Sequence, residues 1–197
     1  MKNFNKTKRP SFKFFNFIRN FYLFEAHNNP VYNGFNLLFV VDMDMKYGWD
    51  LRGVLHSFSK FAEWDVVCAN GIYTSKFAMH DIFAFRVNKT ADNLIWLTPY
   101  SPEFKGKNIQ NYISLWIKSM TGKISYLPSN ISDILVPVDS AFGGMAIYKR
   151  KLTQNCFYDD NVEDCDHPTF HRCMRTKHGA KIFLNPCMLM KYNYYKP

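Results

Sequence analysis

Leu37-Leu38-Phe39-Val40-Val41-Asp42-Met43-Asp44 is the stretch that decides the fold. Five apolar residues without alternation form the pattern of a strand buried on both faces, as in sheets covered by helices on each side. The run stops abruptly in two carboxylates one residue apart. In open α/β sheets ligands bind off the carboxyl ends of strands, and two carboxylates there repel each other unless a cation sits between them. Hard oxygen donors suit Mg²⁺ or Mn²⁺, which dehydrate reluctantly and share their shell with substrate phosphates. The partner implied is a nucleotide diphosphate or a similar group.

Working outward, Phe14, Phe17, Ile18, Phe21 and Tyr22 recur at spacings of three and four. They predict a helix from about Ser11 to Phe24 with one aromatic face and with Arg19 and Asn20 on its other flank. Downstream, Asp50 is placed to cap a helix striped by Leu51, Val54, Leu55, Phe58 and Phe61. A second buried strand, Asp65 to Ala69, is stopped by Asn70-Gly71. Alternating strands and helices predict an α/β domain whose sheet is mainly parallel at the start. Further on, Thr98 to Asn108 reads as a loop and Ile109 to Met120 as a helix. Strands are expected at Ile134 to Val138, Met145 to Tyr148 and Lys181 to Leu184, with a helix between the last two that opens at Pro168 and stops at Gly179.

The chain has 197 residues, of which 47% are hydrophobic and 21% charged, enough for one domain with a substantial core. No apolar run approaches the roughly 18 residues needed to span a bilayer, so a transmembrane segment is not expected. The net charge of +9 is concentrated at the front: Lys2, Lys6, Lys8, Arg9, Lys13 and Arg19 all precede the first acid, Glu25. We read residues 1–10 as a basic tail and 11–197 as a single domain. A solvated tail is the common case for such a run, and no nucleic-acid partner is expected. The apolar stretch from Phe12 to Phe24 is broken by Lys13, Asn16, Arg19 and Asn20, which is not the pattern of a secretory signal and leaves the location cytoplasmic or unknown. Five cysteines without a CxxC pair read mostly as free thiols.

Two further segments carry chemistry. In Ser140-Ala141-Phe142-Gly143-Gly144-Met145, adjacent glycines let the backbone approach a neighbour or ligand closely. In Glu163-Asp164-Cys165-Asp166-His167, carboxylates gather just ahead of the Pro168 helix, where an anion is stabilised and could serve as a general base or hold an acceptor hydroxyl. A rival reading assigns Cys165, His167, His171 and Cys173 to structural zinc, although their spacing fits no known finger.

Taken in order, these motifs resemble metal-dependent, nucleotide-sugar glycosyltransferases of the GT-A fold, a family found in large DNA viruses and in bacterial and eukaryotic surface-glycan synthesis. The resemblance covers about Arg19 to Tyr192. It rests on Arg19-Asn20, on Leu38 to Asp44, on Trp64 to Gly71 and on His80-Asp81 to Arg86. It continues through Val138 to Tyr148, Cys165-Asp166-His167 with Phe170-His171, and Ile182 to Pro186. The resemblance implies a Rossmann-like mixed sheet flanked by helices. It also implies a Mn²⁺ or Mg²⁺ cofactor, a nucleotide-sugar donor and a hydroxyl acceptor on a glycan or protein.

On this resemblance Asp44 would bind the metal, and Asp42 the metal or the donor ribose. Arg19 would face the nucleotide, and Gly143 with Gly144 would form the floor under the donor sugar. Asp166 stands where the family more often has Glu, and would be the acceptor-binding or catalytic carboxylate. Asn185 stands where many members have a metal-binding His, so Asn185 and His167 are competing candidates for a third ligand. Asp81 and Arg86 would line the pocket wall. Only 41 residues precede Asp42, fewer than the family's front strands need. The resemblance therefore implies an N-terminally truncated domain with an exposed sheet edge open to self-association, and its alternative to an active enzyme is an inactive glycosyltransferase remnant.

Overall fold

The computed structural model describes residues 12–45, 47–73, 78–81, 83–86, 135–159 and 165–192. The expected Thr98 to Asn108 loop and Ile109 to Met120 helix lie outside them. Helices α1 (Phe12–Asn28), α2 (Leu51–Ser59) and α3 (Asp166–His178) pack on a mixed sheet. Its strands are β1 (Leu37–Val41), β2 (Val66–Tyr73), β3 (Ala78–Met79), β4 (Val136–Pro137), β5 (Met145–Lys149) and β6 (Ile182–Tyr192).

The spatial order is β1-β5-β2-β6-β4, with β3 added beside the end of β2. Among the described strands only β2 and β6 pair in parallel; β5 runs antiparallel to both β1 and β2, β3 antiparallel to β2, and β4 antiparallel to β6. The parallel start expected for β1 and β2 is therefore corrected, because a strand from much later in the chain inserts between them. Alternate residues of the central strands feed two cores. Val66, Cys68, Ala146, Tyr148 and Leu184 join Leu23 of α1 and Phe170 and Met174 of α3 on one face. Val67, Ala69, Met145 and Ile147 join Val54 of α2 and Trp64 on the other. This two-sided burial is why β2 and β5 lack polar alternation.

Several expectations shift for identifiable reasons. Asn70-Gly71 does not end β2. The strand runs on through a bulge, because Gly71 passes the backbone of Gly143 so closely that a Cβ would lie 2.5 Å from the Gly143 carbonyl oxygen. β6 likewise extends beyond Leu184. Its register jumps from Asn185 to Leu189, so Pro186 falls in the bulge where no ladder donor is required. α2 is capped as expected by Asp50, which accepts from the Arg52 backbone N–H at 3.0 Å. Its buried face, however, is Gly53, Val54 and Ser57, while Leu51 and Leu55 are exposed. A Cβ on Gly53 would stand 2.3 Å from the Cys187 carbonyl oxygen, so a small residue, not an aliphatic stripe, sets the approach of α2 to β6.

The largest departure is in α1. Its inward side carries Asn16, Arg19, Asn20, Leu23 and His27, and its aromatic side faces out. Asn20 exchanges two hydrogen bonds with the Tyr158 backbone, donating to its carbonyl at 2.9 Å and accepting from its N–H at 2.8 Å. Asn16 donates to the Asp159 carbonyl at 3.1 Å, and His27 meets the Thr153 hydroxyl at 2.8 Å. Polar docking to one irregular segment thus replaces the aromatic packing that periodicity alone favours.

A disulfide joins Cys156 of that segment to Cys173 of α3, which corrects the free-thiol reading for this pair and removes Cys173 from any zinc set. Cys68, Cys165 and Cys187 are buried thiols. The bridge spans 17 residues in sequence, and closing a loop of that size in the unfolded chain is worth about 3 kcal/mol. We expect Cys173→Ser, or reduction of the wild type under native conditions, to lower the melting temperature by roughly 6 to 12 °C, measured by circular dichroism with and without reductant. Equal melting of oxidised and reduced protein would show that the link adds no stability.

Candidate functional site

Because β5 is antiparallel to β1, its amino end lies beside the carboxyl end of β1. That is how the acidic motif and the glycine pair meet: the Asp42 N–H donates to the Gly144 carbonyl at 2.8 Å. Asp44 follows two residues later, within about 7 Å of chain. It is exposed, as is Met43 between them.

Arg19 reaches this corner from the inward face of α1. Its guanidinium lies 3.8 Å from the Asp42 carboxylate and contacts the Asp166 carboxylate directly. The Tyr158 and Phe142 rings lie 5.4 and 5.6 Å from it, a desolvated setting in which cation–π attraction adds to the ion pairs. Asp166 is the first residue of α3 and is 5% exposed. Its Oδ1 accepts from the His167 backbone N–H at 3.0 Å and from the Cys165 thiol at 3.1 Å, while Oδ2 faces Arg19. Both oxygens are engaged, so Asp166 is an anchor for Arg19 and could accept a proton from an acceptor only after Arg19 released it.

Asp81 completes the acidic side. Its backbone is left-handed, with φ of 56°, a conformation that Asp tolerates. Its backbone carbonyl accepts from the Ala84 N–H at 3.1 Å, and the backbone of Gly143 and Ala84 favours the ionised carboxylate. Burial, with repulsion from Asp42, pushes the Asp81 carboxyl up to about 6. Burial also pushes Asp42 up to about 6, with Arg19 opposing and Asp44 adding to the rise. Negative charge at this corner is therefore only partly compensated.

The other expected residues fall elsewhere. Gly143 and Gly144 have φ of +60° and +92°. Cβ atoms there would meet the Ala69 carbonyl oxygen at 2.2 Å and the Tyr192 hydroxyl at 1.8 Å. Their requirement for glycine is thus explained by packing within the protein.

Asn185 is fully buried under α2. It donates to the Gly53 carbonyl and the Ser57 hydroxyl, accepts from the Cys187 N–H and meets the His56 ring. It fastens α2 to β6 and has no group left for a metal. His167 is stacked on Phe142 at 3.7 Å and is held neutral by burial and by Arg19. Among the described residues neither of its ring nitrogens has a hydrogen-bond partner. His171 is occupied between the Ser140 and Tyr148 hydroxyls, which leaves the zinc reading without a ligand set. Arg86 donates to the Phe83 and Phe85 carbonyls and bridges to Ser140.

No protein-family model and no curated protein matches the chain. The functional reading rests on the corner itself. Among the described residues no group of three or more His, Cys, Asp or Glu side chains gathers in a way that could hold a metal ion. Sequence reasoning missed Tyr158 and Phe142 as walls of the site, since nothing in the local pattern of either marks it as a neighbour of Arg19.

For Asp42 and Asp81 the folded carboxyl holds its proton up to about pH 6, whereas the unfolded one releases it near 4. Their ionisation therefore costs stability above pH 6, and the cost fades as pH falls from 6 towards 4. We expect Asp42→Asn to melt at the same or a higher temperature than wild type at pH 7.5, with the difference vanishing near pH 4. Arg19→Met should instead lose about 3 kcal/mol at pH 7.5, because it leaves Asp166 buried and unpaired. Thermal melts across pH check both, and a marked destabilisation by Asp42→Asn at pH 7.5 would contradict the assigned cost of burying the ionised carboxylate.

Proposed function

We propose that the corner formed by Asp42, Asp44, Asp81 and Arg19 is the donor site of a metal-dependent glycosyltransferase. The enzyme would move a sugar from a nucleotide diphosphate to a hydroxyl of a glycan or protein. The observation that carries this reading is the grouping of Asp42 and Asp81, both pushed up to about 6 chiefly by burial, with the exposed Asp44 at a corner where Arg19 is the opposing charge. Such a cluster is relieved by a divalent cation bound with its substrate phosphates. Mg²⁺ or Mn²⁺ with one or two protein carboxylates and the rest of its shell from phosphate and water fits this donor set. Asp42 and Asp44 would hold it; Asn185 and His167 do not fit, being consumed or covered. When bound, the cation would supply Lewis-acid stabilisation of the leaving diphosphate.

The chain's own residues supply binding and orientation. Arg19, fixed by Asp166, holds a positive charge beside Asp42 and offers donors to a phosphate oxygen. Asp166 acts as a positioning residue for Arg19. Phe142 and Tyr158 keep water from that ion pair. The exposed stretch at Met43 and Asp44 leaves the corner open to an incoming ligand.

Calorimetric titration with a panel of nucleotide-diphosphate sugars tests the reading. We expect binding in the presence of Mn²⁺ that falls at least about tenfold with chelator and in Asp44→Asn, while the Asp44→Asn melting temperature is unchanged or raised. Equal affinity with and without chelator would remove the metal. Absence of binding to every donor would overturn the function in favour of an inactive remnant.

A further inference from the structure

α1 is amphipathic in reverse. With its polar residues turned into the protein, the outward side leaves Phe14 49%, Phe17 68%, Ile18 43%, Phe21 60% and Phe24 57% exposed. Successive residues advance by about 100° around a helix, so positions 14, 17, 18 and 21 form one continuous stripe. Val31 and Phe35 of the following turn extend the same apolar character, at 73% and 61% exposed. Isolated exposed aromatics need no explanation, but a contiguous patch of this kind marks an interaction surface. The sequence immediately before the stripe contains Lys2, Lys6, Lys8, Arg9 and Lys13 and no acid.

We propose that α1 is an interfacial anchor, laying its Phe17 and Phe21 face into the surface of an anionic membrane with the basic arm on the head groups. A single apolar signal gives only marginal binding to a bilayer, whereas an apolar face joined to a polybasic segment gives stable binding. Both signals are present here and are contiguous in the chain. A second copy is the less suitable occupant, because it would bring its own +9 charge and its own basic arm to the same face. A nucleic acid would engage the arm and leave the aromatic stripe uncovered. The mode is lying on the membrane rather than crossing it: among the described residues no helix is long and apolar enough to span one. Arg19 leaves the opposite side of the same helix, so anchoring holds the Asp42 and Asp166 corner roughly one helix diameter, about 10 Å, from the bilayer surface.

Flotation of the full chain with phosphatidylcholine vesicles, with and without about one-third phosphatidylserine, tests this. We expect the protein to float with the anionic vesicles and at least about tenfold less with the neutral ones, and the binding to weaken as salt is raised. Phe17→Glu with Phe21→Glu, both outward-facing, should lower partitioning at least about tenfold while the melting temperature holds. Phe17→Ser alone, a milder change, should give an intermediate loss and guards against a folding defect in the double variant. Replacing Lys2, Lys6, Lys8 and Arg9 by Gln should abolish the preference for anionic vesicles. The proposal is overturned if neither vesicle carries the protein, or if the Phe variants float as well as wild type. It is also overturned if sedimentation finds a dimer that Phe17→Glu dissociates while no vesicle binding is seen. None of these readouts depends on transferase activity.

Discussion

The guanidinium of Arg19 is the group on which the rest of this structure depends. Asp166 is nearly fully buried and negatively charged at the start of α3, and a buried charge must be paired or it is severely destabilising. Arg19 reaches it because α1 docks with its polar side inward. Once that is fixed, the remaining inward positions must also find polar partners. Asn16 and Asn20 do so on the backbone at Tyr158 and Asp159, a segment itself tied to α3 through the Cys156–Cys173 bridge. One ion pair therefore dictates the orientation of a helix, the path of an irregular segment and the exposure of five large apolar side chains.

A second constraint is close backbone approach on the other side of the sheet. Gly53, Gly71 and Gly143 each stand where an added Cβ would come within 2.5 Å of a neighbouring backbone atom. Together with Asn185, which bonds to Gly53 and Ser57, they draw α2, β2, β6 and the β5 turn into one tight seam. Because Gly143 is held against Ala69 and Gly71, the start of β5 is fixed, and with it the Asp42 N–H bond to Gly144. The position of the acidic motif is thus set by glycine packing some residues away from any charge.

How much of this was legible in the sequence differs by the kind of signal. Leu37 to Val41, Met145 to Tyr148 and the α3 helix with its Gly179 stop have strong local patterns and each forms near its expected bounds, but β1 is not buried on both faces as expected: it ends the strand order among the described residues, only Val40 is buried and Phe39 is exposed. The meeting of Arg19 with Asp42 and Asp166 has no signature in any single spacing, since the three come from distant parts of the chain. Three features were not legible. The insertion of β5 between β1 and β2 is a long-range pairing without a local signature. The continuation of β2 through Asn70-Gly71 looks like a turn because that dipeptide usually makes one; only the crossing with Gly143 explains the bulge. The inversion of α1 defeats periodicity outright, because a hydrophobic stripe tells which residues share a face and not which way that face points.

The two unusual surfaces, an acidic corner and an aromatic stripe, then have one origin. β1 ends the strand order among the described residues, and a groove of about 520 Å³, lined in part by Tyr22, Glu25, Leu38 and Val40, opens between its outer edge and α1. A helix docked through its aromatic side would turn Phe14, Phe17 and Phe21 inward in place of Asn16, Arg19 and Asn20. It would also carry Arg19 away from Asp166 and leave Asp42, Asp44 and Asp81 without a nearby cation. Burying a phenylalanine is worth about 1.5 to 3 kcal/mol, and the observed orientation leaves Phe14, Phe17, Phe21 and Phe24 49% to 68% exposed. An environment that removes the stripe from water without moving Arg19 would lift that cost, and a membrane surface is such an environment. On this argument the charge pairing that organises the corner and the apolar face left outside are consequences of the same choice of helix orientation.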